Sequence, residues 1–213
     1  MQSTLVRRWR AGALAGALAT AFSGCAFALN PSDTSVQMFE WNWNDLATEC
    51  TQFLGPQGFG AIQISPPQAS KVTSTWWGVY QPVNYVNLTS KFGTPAQLQS
   101  MIGACHAAGV RVYADVVVNQ MAADSGTATD GSTWNAGALA YPYFSASDFH
   151  AACDIQPADY NAAAGRGNVQ TCRLSGMPDL DSESAYVRAQ VVNYLDALLT
   201  LGIDGFRFDA AKH

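Results

Sequence analysis

Basic residues are scarce in this chain, and their scarcity excludes one class of partner. The 213 residues include 11 lysines and arginines against 16 aspartates and glutamates. Three of the basic residues, Arg7, Arg8 and Arg10, stand in a predicted leader, so its removal lowers the basic count to 8 and the net charge to −8. Because nucleic-acid binding needs a basic patch or stripe, we expect no nucleic acid as a partner.

The chain also lacks an apolar run long enough for a membrane anchor. Residues 11–22 are uncharged and rich in alanine, but a transmembrane helix needs about 20 apolar residues. Basic residues precede this run and the small-x-small sequence of residues 26–28 follows it, which predicts a signal peptide over residues 1–28. We therefore expect a secreted protein with no membrane contact in its mature form. A lipid anchor at Cys25, which follows Gly24, is a minor alternative.

Internal repeats are absent from the sequence, and no low-complexity tract occurs beyond the leader. Four cysteines remain after the leader: Cys50, Cys105, Cys153 and Cys172. An even number in an exported chain predicts two disulfides rather than four buried free thiols. The sequence alone allows three pairings.

Strand and helix patterns alternate along the mature chain. The strand patterns cover residues 35–41, 60–65, 110–118 and 203–208, and the helix patterns cover residues 44–54, 94–108 and 182–201. Asn44 is predicted to cap the first helix, and Thr94 with Gln97 to form a capping box on the second. Gly109 and Gly202 are predicted to end the second and third helices.

Residues 119–176 interrupt this alternation. These 58 residues are rich in Gly, Ala, Asp, Asn and Tyr and show weak periodicity, and the segment is too long for an ordinary loop. The flanking βα units, with strands buried on both faces, predict either an α/β barrel or a doubly wound sheet.

The last nine residues carry the most specific pattern. An apolar strand ends with Arg207 and Asp209 two positions apart, so both side chains emerge on one face. A guanidinium beside a carboxylate favours the ionised form, which can act as a nucleophile. Residues 205–213 resemble the fourth-strand motif of the α-amylase family of glycoside hydrolases.

Three further motifs resemble the same family in the same order. Residues 76–82 are similar to a loop of animal-type amylases and their bacterial relatives, residues 115–119 to the family's third strand, and residues 177–181 to the motif that leaves its domain B. The resemblance implies the N-terminal half of a (β/α)8 TIM barrel with domain B inserted after the third strand. The implied divisions are residues 29–118 for barrel strands 1–3, 119–176 for domain B, and 177–213 for the third barrel helix and fourth strand.

The resemblance also implies catalytic roles. Asp209 is the implied nucleophile, Arg207 the group that keeps it ionised, and Asp115 the group that orients Arg207. Lys212 and His213 are implied to contact sugar on the leaving-group side. The family's acid/base Glu and its second essential Asp belong to the fifth and seventh strands, which lie beyond these residues. We therefore expect an incomplete chain that is inert on starch by itself.

Substrate contacts are implied for residues that precede or follow strands. Trp77 and Tyr80 would stack on sugar near the cleavage point, as aromatic rings do on flat C–H faces. Gln81 would donate or accept a hydrogen bond. Gln120 stands where the family has a histidine that contacts the cleaved sugar; glutamine retains hydrogen bonding but cannot become cationic.

Calcium and the disulfide pairing are also implied by the resemblance. The implied calcium ligands are the side chains of Asn119 and Asp179 and the backbone carbonyls of Gln170 and His213, and this all-oxygen set suits calcium. The implied disulfides are Cys50–Cys105, between the first two barrel helices, and Cys153–Cys172, within domain B. Each pair joins segments that the family places side by side.

The implied function is that of a secreted, endo-acting, retaining α-amylase, monomeric when complete, that cleaves α-1,4 bonds of starch and glycogen. Two alternatives stay open at this point. A cyclodextrin-forming transglycosylase of the same family shares the Lys-His pair at residues 212–213. A truncated, non-catalytic starch-binding fragment would keep the aromatic contacts and lose the chemistry.

Overall fold

A sheet of four parallel strands forms the centre of the protein. The computed structural model describes residues 34–161 and 163–213, and the predicted signal peptide with its Cys25 lies outside them. The strands in these ranges are β1 (Ser35–Met38), β2 (Ala61–Ile64), β3 (Ala69–Ser70), β4 (Pro82–Asn84), β5 (Arg111–Val116), β6 (Ser125–Thr127), β7 (Thr133–Asn135) and β8 (Gly205–Phe208). Strands β1, β2, β5 and β8 pair in that order and all in parallel, whereas β3–β4 and β6–β7 are antiparallel pairs.

Helices connect the strands of the parallel sheet. The α-helices are α1 (Trp43–Glu49), which a π-helix (Cys50–Leu54) continues, α2 (Pro95–Ala107), α3 (Arg166–Thr171) and α4 (Ala185–Leu201). Helix α1 joins β1 to β2, α2 joins β2 to β5, and α4 joins β5 to β8. The predicted parallel strands are confirmed, although each paired segment is shorter than its predicted range.

The start of α1 differs from the prediction. Its N-cap is Asn42 rather than Asn44, and the Asn42 side chain accepts a hydrogen bond from the backbone N–H of Asp45 at 2.9 Å. Trp43 follows the cap and is fully buried. The sequence offers two capping asparagines, and the tertiary burial of Trp43 selects the first.

The other helix ends agree better with the sequence. Helix α2 begins with the predicted capping box of Thr94 and Gln97. Gly202 ends α4 in the left-handed conformation, with φ of 105°, which glycine adopts without strain. Helix α4 starts at Ala185, three residues after its predicted start. None of the helices in the described ranges has the length and apolar character needed to cross a bilayer.

The core lies between the sheet and its helices. Leu46 of α1, Leu98 of α2 and Leu198 of α4 pack with Ile62 of β2 and Val112 of β5, and all five have 0% exposure. Burial of such a side chain contributes about 1.5–3 kcal/mol to folding. This packing fixes the carboxyl ends of the four strands relative to one another.

Both implied disulfides are present. Cys50, at the junction of α1 and the π-helix, is bonded to Cys105 in the last turn of α2. Cys153 is bonded to Cys172, the residue that ends α3. The first bridge therefore joins two of the helices that connect the parallel strands. The second closes a loop within residues 119–176.

Residues 119–176 contain only short elements: the β6–β7 hairpin, α3 and several 3-10 turns. Side chains that bond to backbone groups hold this segment onto its own first residues. Trp134 Nε1 donates to the carbonyl of Ala123 at 3.1 Å, and the Tyr141 hydroxyl donates to the carbonyl of Ala122 at 2.5 Å.

Candidate active site

Three charged side chains meet at the carboxyl edge of the parallel sheet. In the β5–β8 pairing, Asp115 lies directly beside Arg207, and Asp209 follows the end of β8. Arg207 Nη1 donates to Asp115 Oδ1 at 2.8 Å and to Asp209 Oδ1 at 2.7 Å. One guanidinium nitrogen therefore bridges the two carboxylates.

Burial controls the electrostatics of this bridge. Asp115 is 1% exposed, and this burial raises the pKa of its carboxyl, while hydrogen bonds from Arg207 and Tyr80 act in the opposite direction. Burial lowers the pKa of Arg207, but its hydrogen bonds to the two carboxylates together outweigh that effect and raise it. Arg207 therefore stays cationic beside Asp209.

Tyr80 completes the environment of Asp115. Its hydroxyl donates to Asp115 Oδ2 at 2.8 Å. Burial, followed by the negative charge of Asp115, raises the pKa of the Tyr80 hydroxyl. Tyr80 therefore remains a hydrogen-bond donor to Asp115 at neutral pH, and both Asp115 oxygens are occupied.

An open cavity of about 530 Å³ lies over Arg207 and Asp209. Its volume is in the range of small-molecule sites. Its lining combines aromatic rings with polar groups: Trp76, Trp77, Tyr80, Gln81, Gln120, Leu174, Ser175, Met177, Arg207 and Asp209. Six of the predicted site residues therefore share one cavity.

The two tryptophans come from a 3-10 helix, Trp76–Tyr80, that runs along the wall of this cavity. Trp77 is 40% exposed and Trp76 is 56% exposed. Gln68, which is buried, donates to the carbonyl of Val79 at 3.0 Å and fixes the helix against the core. The sequence analysis did not assign Trp76 a role, although its place beside Trp77 could have indicated one.

The two glutamines of the cavity wall are engaged with the backbone. Gln81 Oε1 accepts from the N–H of Ala123 at 3.1 Å. Gln120 is 1% exposed, and its Nε2 donates to the carbonyl of Tyr80 at 3.1 Å. Its Oε1 is buried without a hydrogen-bond partner among the described residues. In this structure both glutamines fix the cavity wall.

Lys212 lines a neighbouring cavity instead, and His213 follows it in the chain. Lys212 Nζ lies 4.3 Å from the ring centre of Tyr160, and the His213 ring meets the same tyrosine edge-on at 5.8 Å. His213 Nδ1 lies 3.1 Å from the carbonyl oxygen of Val169. Burial lowers the pKa of His213. Tyr160 lies in a segment without periodicity, and no sequence pattern singled it out.

The four implied calcium ligands fall into two pairs. Asn119 Nδ2 donates to Asp179 Oδ1 at 3.0 Å. Gln170 lies in the last turn of α3, where helical carbonyls lack intrahelical partners, and His213 contacts the adjacent Val169. A hydrogen bond joins the members of the first pair, whereas His213 contacts Val169 rather than Gln170.

The chemistry of these residues fits a calcium ion. Asp179 is 3% exposed, and burial raises its pKa to about 6 despite the opposing contacts with His150 and Asn119, so a bound cation would stabilise its ionised form. His150 Nδ1 lies 2.8 Å from Asp179 Oδ2, and its Nε2 lies 3.0 Å from Glu183. His150, Asp181 and Glu183 also place three potential metal-ligating atoms within 4.8 Å of one another.

Comparison with known proteins identifies the family. The model of the alpha amylase catalytic domain matches residues 47–213. The chain belongs to the α-amylase family. It is 48% identical to an α-amylase of Aeromonas hydrophila over 197 residues. This aligned region covers 92% of this chain and 43% of that protein. It is 44% identical over 184 residues to an α-amylase of Tribolium castaneum, with 84% and 36% covered.

Solved structures of the family agree with the architecture. The crystal structure of α-amylase I from Eisenia fetida matches with a TM-score of 0.79 and 36% identity over 85% of this chain and 38% of that one. A variant of the same worm enzyme was solved in complex with maltohexaose. Family membership and the parallel sheet together identify the TIM-barrel fold. The chain spans less than half the length of the α-amylases it matches.

Proposed function

We propose that this chain is the N-terminal half of a secreted α-amylase and carries its nucleophile. The complete enzyme would cleave internal α-1,4 bonds of starch-type glucans with retention. The observation that carries the proposal is the position of Asp209. It borders an open, aromatic-lined cavity and is held by a cationic Arg207. A family that includes 44–48% identical α-amylases supplies the reaction class.

In the proposed mechanism, Asp209 attacks the anomeric carbon of the sugar. The glycosidic C–O bond breaks, a protonated carboxylic acid on the opposite side gives its proton to the leaving oxygen, and a covalent glycosyl-enzyme forms. Water then releases the sugar with retained configuration. The family's acid is a glutamate on a later strand, so we propose that these 213 residues are part of a longer protein.

Arg207 and Asp115 act on the nucleophile in different ways. Arg207 touches Asp209 directly and favours its ionised form. Asp115 positions Arg207 and is itself held by Tyr80. Because Asp115 is fully buried, it is a positioning residue that has no access to sugar.

Sugar binding is assigned mainly to aromatic rings. The exposed Trp77 and the half-buried Tyr80 are proposed to stack on sugar beside Asp209, and Lys212 and His213 to contact the leaving-group side. Gln81 and Gln120 keep the roles of polar contacts at the cavity wall. Because Gln120 is 1% exposed, a sugar contact there requires a movement of the cavity wall.

Calcium is the proposed resident metal, held by Asn119, Asp179 and the carbonyls of Gln170 and His213. A calcium ion supplies positive charge and an oxygen-rich link between segments distant in sequence. Asn119 follows β5, Gln170 lies in the proposed domain B, and His213 follows β8. The ion would therefore join domain B to the barrel.

The first experiment is to read the gene beyond codon 213 and express the complete protein. We expect an open reading frame with a glutamate on the next strand, activity on soluble starch, and α-configured products by NMR. Asp209→Asn should abolish turnover, while Asp196→Asn, on the exposed face of α4, should not change it. A stop codon after His213, or full activity of Asp209→Asn, would reject the proposal.

A cyclodextrin-forming transglycosylase, which shares the Lys-His pair at residues 212–213, is the second candidate. The products decide between the two: linear maltooligosaccharides indicate hydrolysis, and cyclic products indicate transglycosylation. The third candidate, a non-catalytic starch-binding fragment, predicts glucan binding without any release of reducing ends.

A further inference from the structure

A second aromatic surface lies outside the cavity around Asp209. It is formed by Tyr143 and Tyr186 together with Ser145 and Ser147, and we call it the tyrosine surface. A depression of about 480 Å³ lies on it, and none of its lining residues belongs to the cavity around Asp209. The two tyrosine rings are 43% and 46% exposed.

The tyrosine surface is preformed. The Tyr186 hydroxyl, at the start of α4, donates to the backbone carbonyl of Tyr143 at 2.9 Å and ties the two segments together. Phe144, between Tyr143 and Ser145, is 4% exposed and meets Tyr186 edge-on at 6.3 Å and Tyr85 at 5.9 Å. A buried anchor therefore holds an exposed ring in place, as a rigid binding platform requires.

Hydroxyl groups, rather than charges, accompany the rings. Ser145 Oγ and Ser147 Oγ lie 3.2 Å apart, and both residues are exposed. Asp148, the acidic residue of the lining, is 9% exposed. Its carboxylate accepts from the N–H of Ser145 at 2.8 Å and from the Ser145 hydroxyl at 3.1 Å. An aromatic surface with neutral hydroxyls suits an uncharged polyhydroxylated ligand better than a phosphate or a cation.

The surface continues past Tyr143. The same ring borders a second depression of about 490 Å³, whose polar lining groups include Asn84, Asn87 and Thr200. Two adjoining depressions that share one exposed aromatic ring match an elongated ligand with repeating units. A single sugar would fill only one of them.

We propose that the tyrosine surface binds a stretch of α-glucan chain at a distance from the cleavage site. The inference rests on the proposed function, because a polymeric glucan substrate is long enough to occupy both regions. Tyr143 supplies the central stacking ring, Tyr186 the second ring, and the serine hydroxyls the polar contacts. Binding there would keep the enzyme on a starch granule and raise the local concentration of chains near Asp209.

The test uses the complete protein with Asp209→Asn, so that substrate is bound but not cleaved. Mobility in native gels containing soluble starch gives the affinity for polymer, and calorimetry with maltoheptaose gives the number of sites. Tyr143→Ala should weaken starch binding about fivefold, as expected for one aromatic contact. It should reduce two maltoheptaose sites to one, while Tyr143→Phe keeps both.

Two further variants distinguish a failure of this inference from a failure of the proposed function. Trp77→Ala should weaken binding in the cavity around Asp209 and leave binding at the tyrosine surface intact. Phe53→Ala, which removes a ring of 49% exposure on the π-helix, should change neither. Starch affinity that is sensitive to Trp77→Ala but unaffected by Tyr143→Ala overturns this inference alone. A parent protein that binds no glucan overturns the proposed function as well.

Discussion

The parallel sheet and residues 119–176 are stabilised in different ways. In the sheet, backbone pairing and buried apolar side chains hold β1, β2, β5 and β8 in one register. In residues 119–176, turns and short helices are held by side chains that bond to backbone groups, such as Trp134 to Ala123 and Asp130 to Ser132. The first arrangement depends on long-range cooperation, and the second on many local contacts.

This difference matches the chemistry proposed for each region. The groups that need fixed geometry, Asp115, Arg207 and Asp209, lie on or beside paired strands. The residues of the other region that border the proposed site, such as Tyr160 against Lys212, lie on short turns. The paired strands therefore hold the proposed nucleophile, and shorter elements lie around it.

The largest predicted effect compares the two disulfides. Cys50–Cys105 closes a separation of 55 residues and Cys153–Cys172 one of 19. In the loop-entropy model their removal costs about 4 and about 3 kcal/mol. Urea unfolding of Cys50→Ala/Cys105→Ala and Cys153→Ala/Cys172→Ala should therefore show greater destabilisation for the first pair. Its side chains are also completely buried, which adds a packing loss.

The cooperativity of unfolding tests the comparison further. Loss of Cys153–Cys172 should open residues 119–176 before the sheet, so that Trp134 fluorescence changes ahead of far-UV circular dichroism. Coincident transitions in both double variants would show that the two regions unfold as one unit, and the contrast between them would then be wrong.

The second prediction concerns the proposed calcium link between the regions. With calcium about a hundredfold above its Kd, the ion should stabilise the complete protein by about 3 kcal/mol, because it binds only the folded state. Chelator should lower the melting temperature accordingly. Asp179→Ala should be insensitive to chelator, while Asp130→Ala, which changes a carboxylate of residues 119–176 outside the proposed ligands, should respond like the parent. Identical melting of the parent with and without chelator would remove the site.

The sequence predicted the sheet better than the segment that interrupts it. Strand β5 could be predicted because residues 110–118 are nearly all apolar. A central strand is buried on both faces, so a continuous apolar run marks its position. The bridge from Asp115 through Arg207 to Asp209 followed from a two-residue spacing and from the family resemblance. The same signals located Trp77 and Tyr80 in the cavity that Asp209 borders.

What the sequence missed depends on tertiary contacts. The cap of α1 was wrong because the burial of Trp43 decides between two asparagines. Tyr160 reaches Lys212 only through the fold of residues 119–176, where no periodicity marks its position. No sequence pattern linked His150 to the buried Asp179, and their 2.8 Å contact arises because Phe149 and Leu180 form an antiparallel bridge.

The third prediction compares one exposed ring from each region. Trp77 lines the cavity around Asp209 and is 40% exposed. Tyr160 belongs to residues 119–176, lines the neighbouring cavity and is 43% exposed. Trp77→Ala should weaken maltoheptaose binding by about 1–2 kcal/mol, comparable with other aromatic contacts. Its melting temperature should hardly change, since the ring is not core.

Tyr160→Ala should have a smaller effect on binding than Trp77→Ala, because its ring is already in contact with Lys212 and His213. Calorimetry on both variants in the Asp209→Asn background measures the difference. A fall in melting temperature with unchanged binding would assign Trp77 to the core instead of the substrate.

The smallest predicted effect lies at the junction of the two regions. Gln120 pairs through its backbone with Asp179 and donates from its side chain to the carbonyl of Tyr80. Gln120→His restores the residue that the family uses at the cleaved sugar, so turnover should rise about threefold, which is less than about 1 kcal/mol in activation free energy. The gain should appear in kcat more than in KM if the contact strengthens in the transition state. Gln120→Met, which keeps the size but loses the donor, separates the two roles of this residue. If Gln120→His and Gln120→Met both lower kcat, the bond to Tyr80 matters more than a sugar contact, and the lineage has adapted its cavity wall around glutamine.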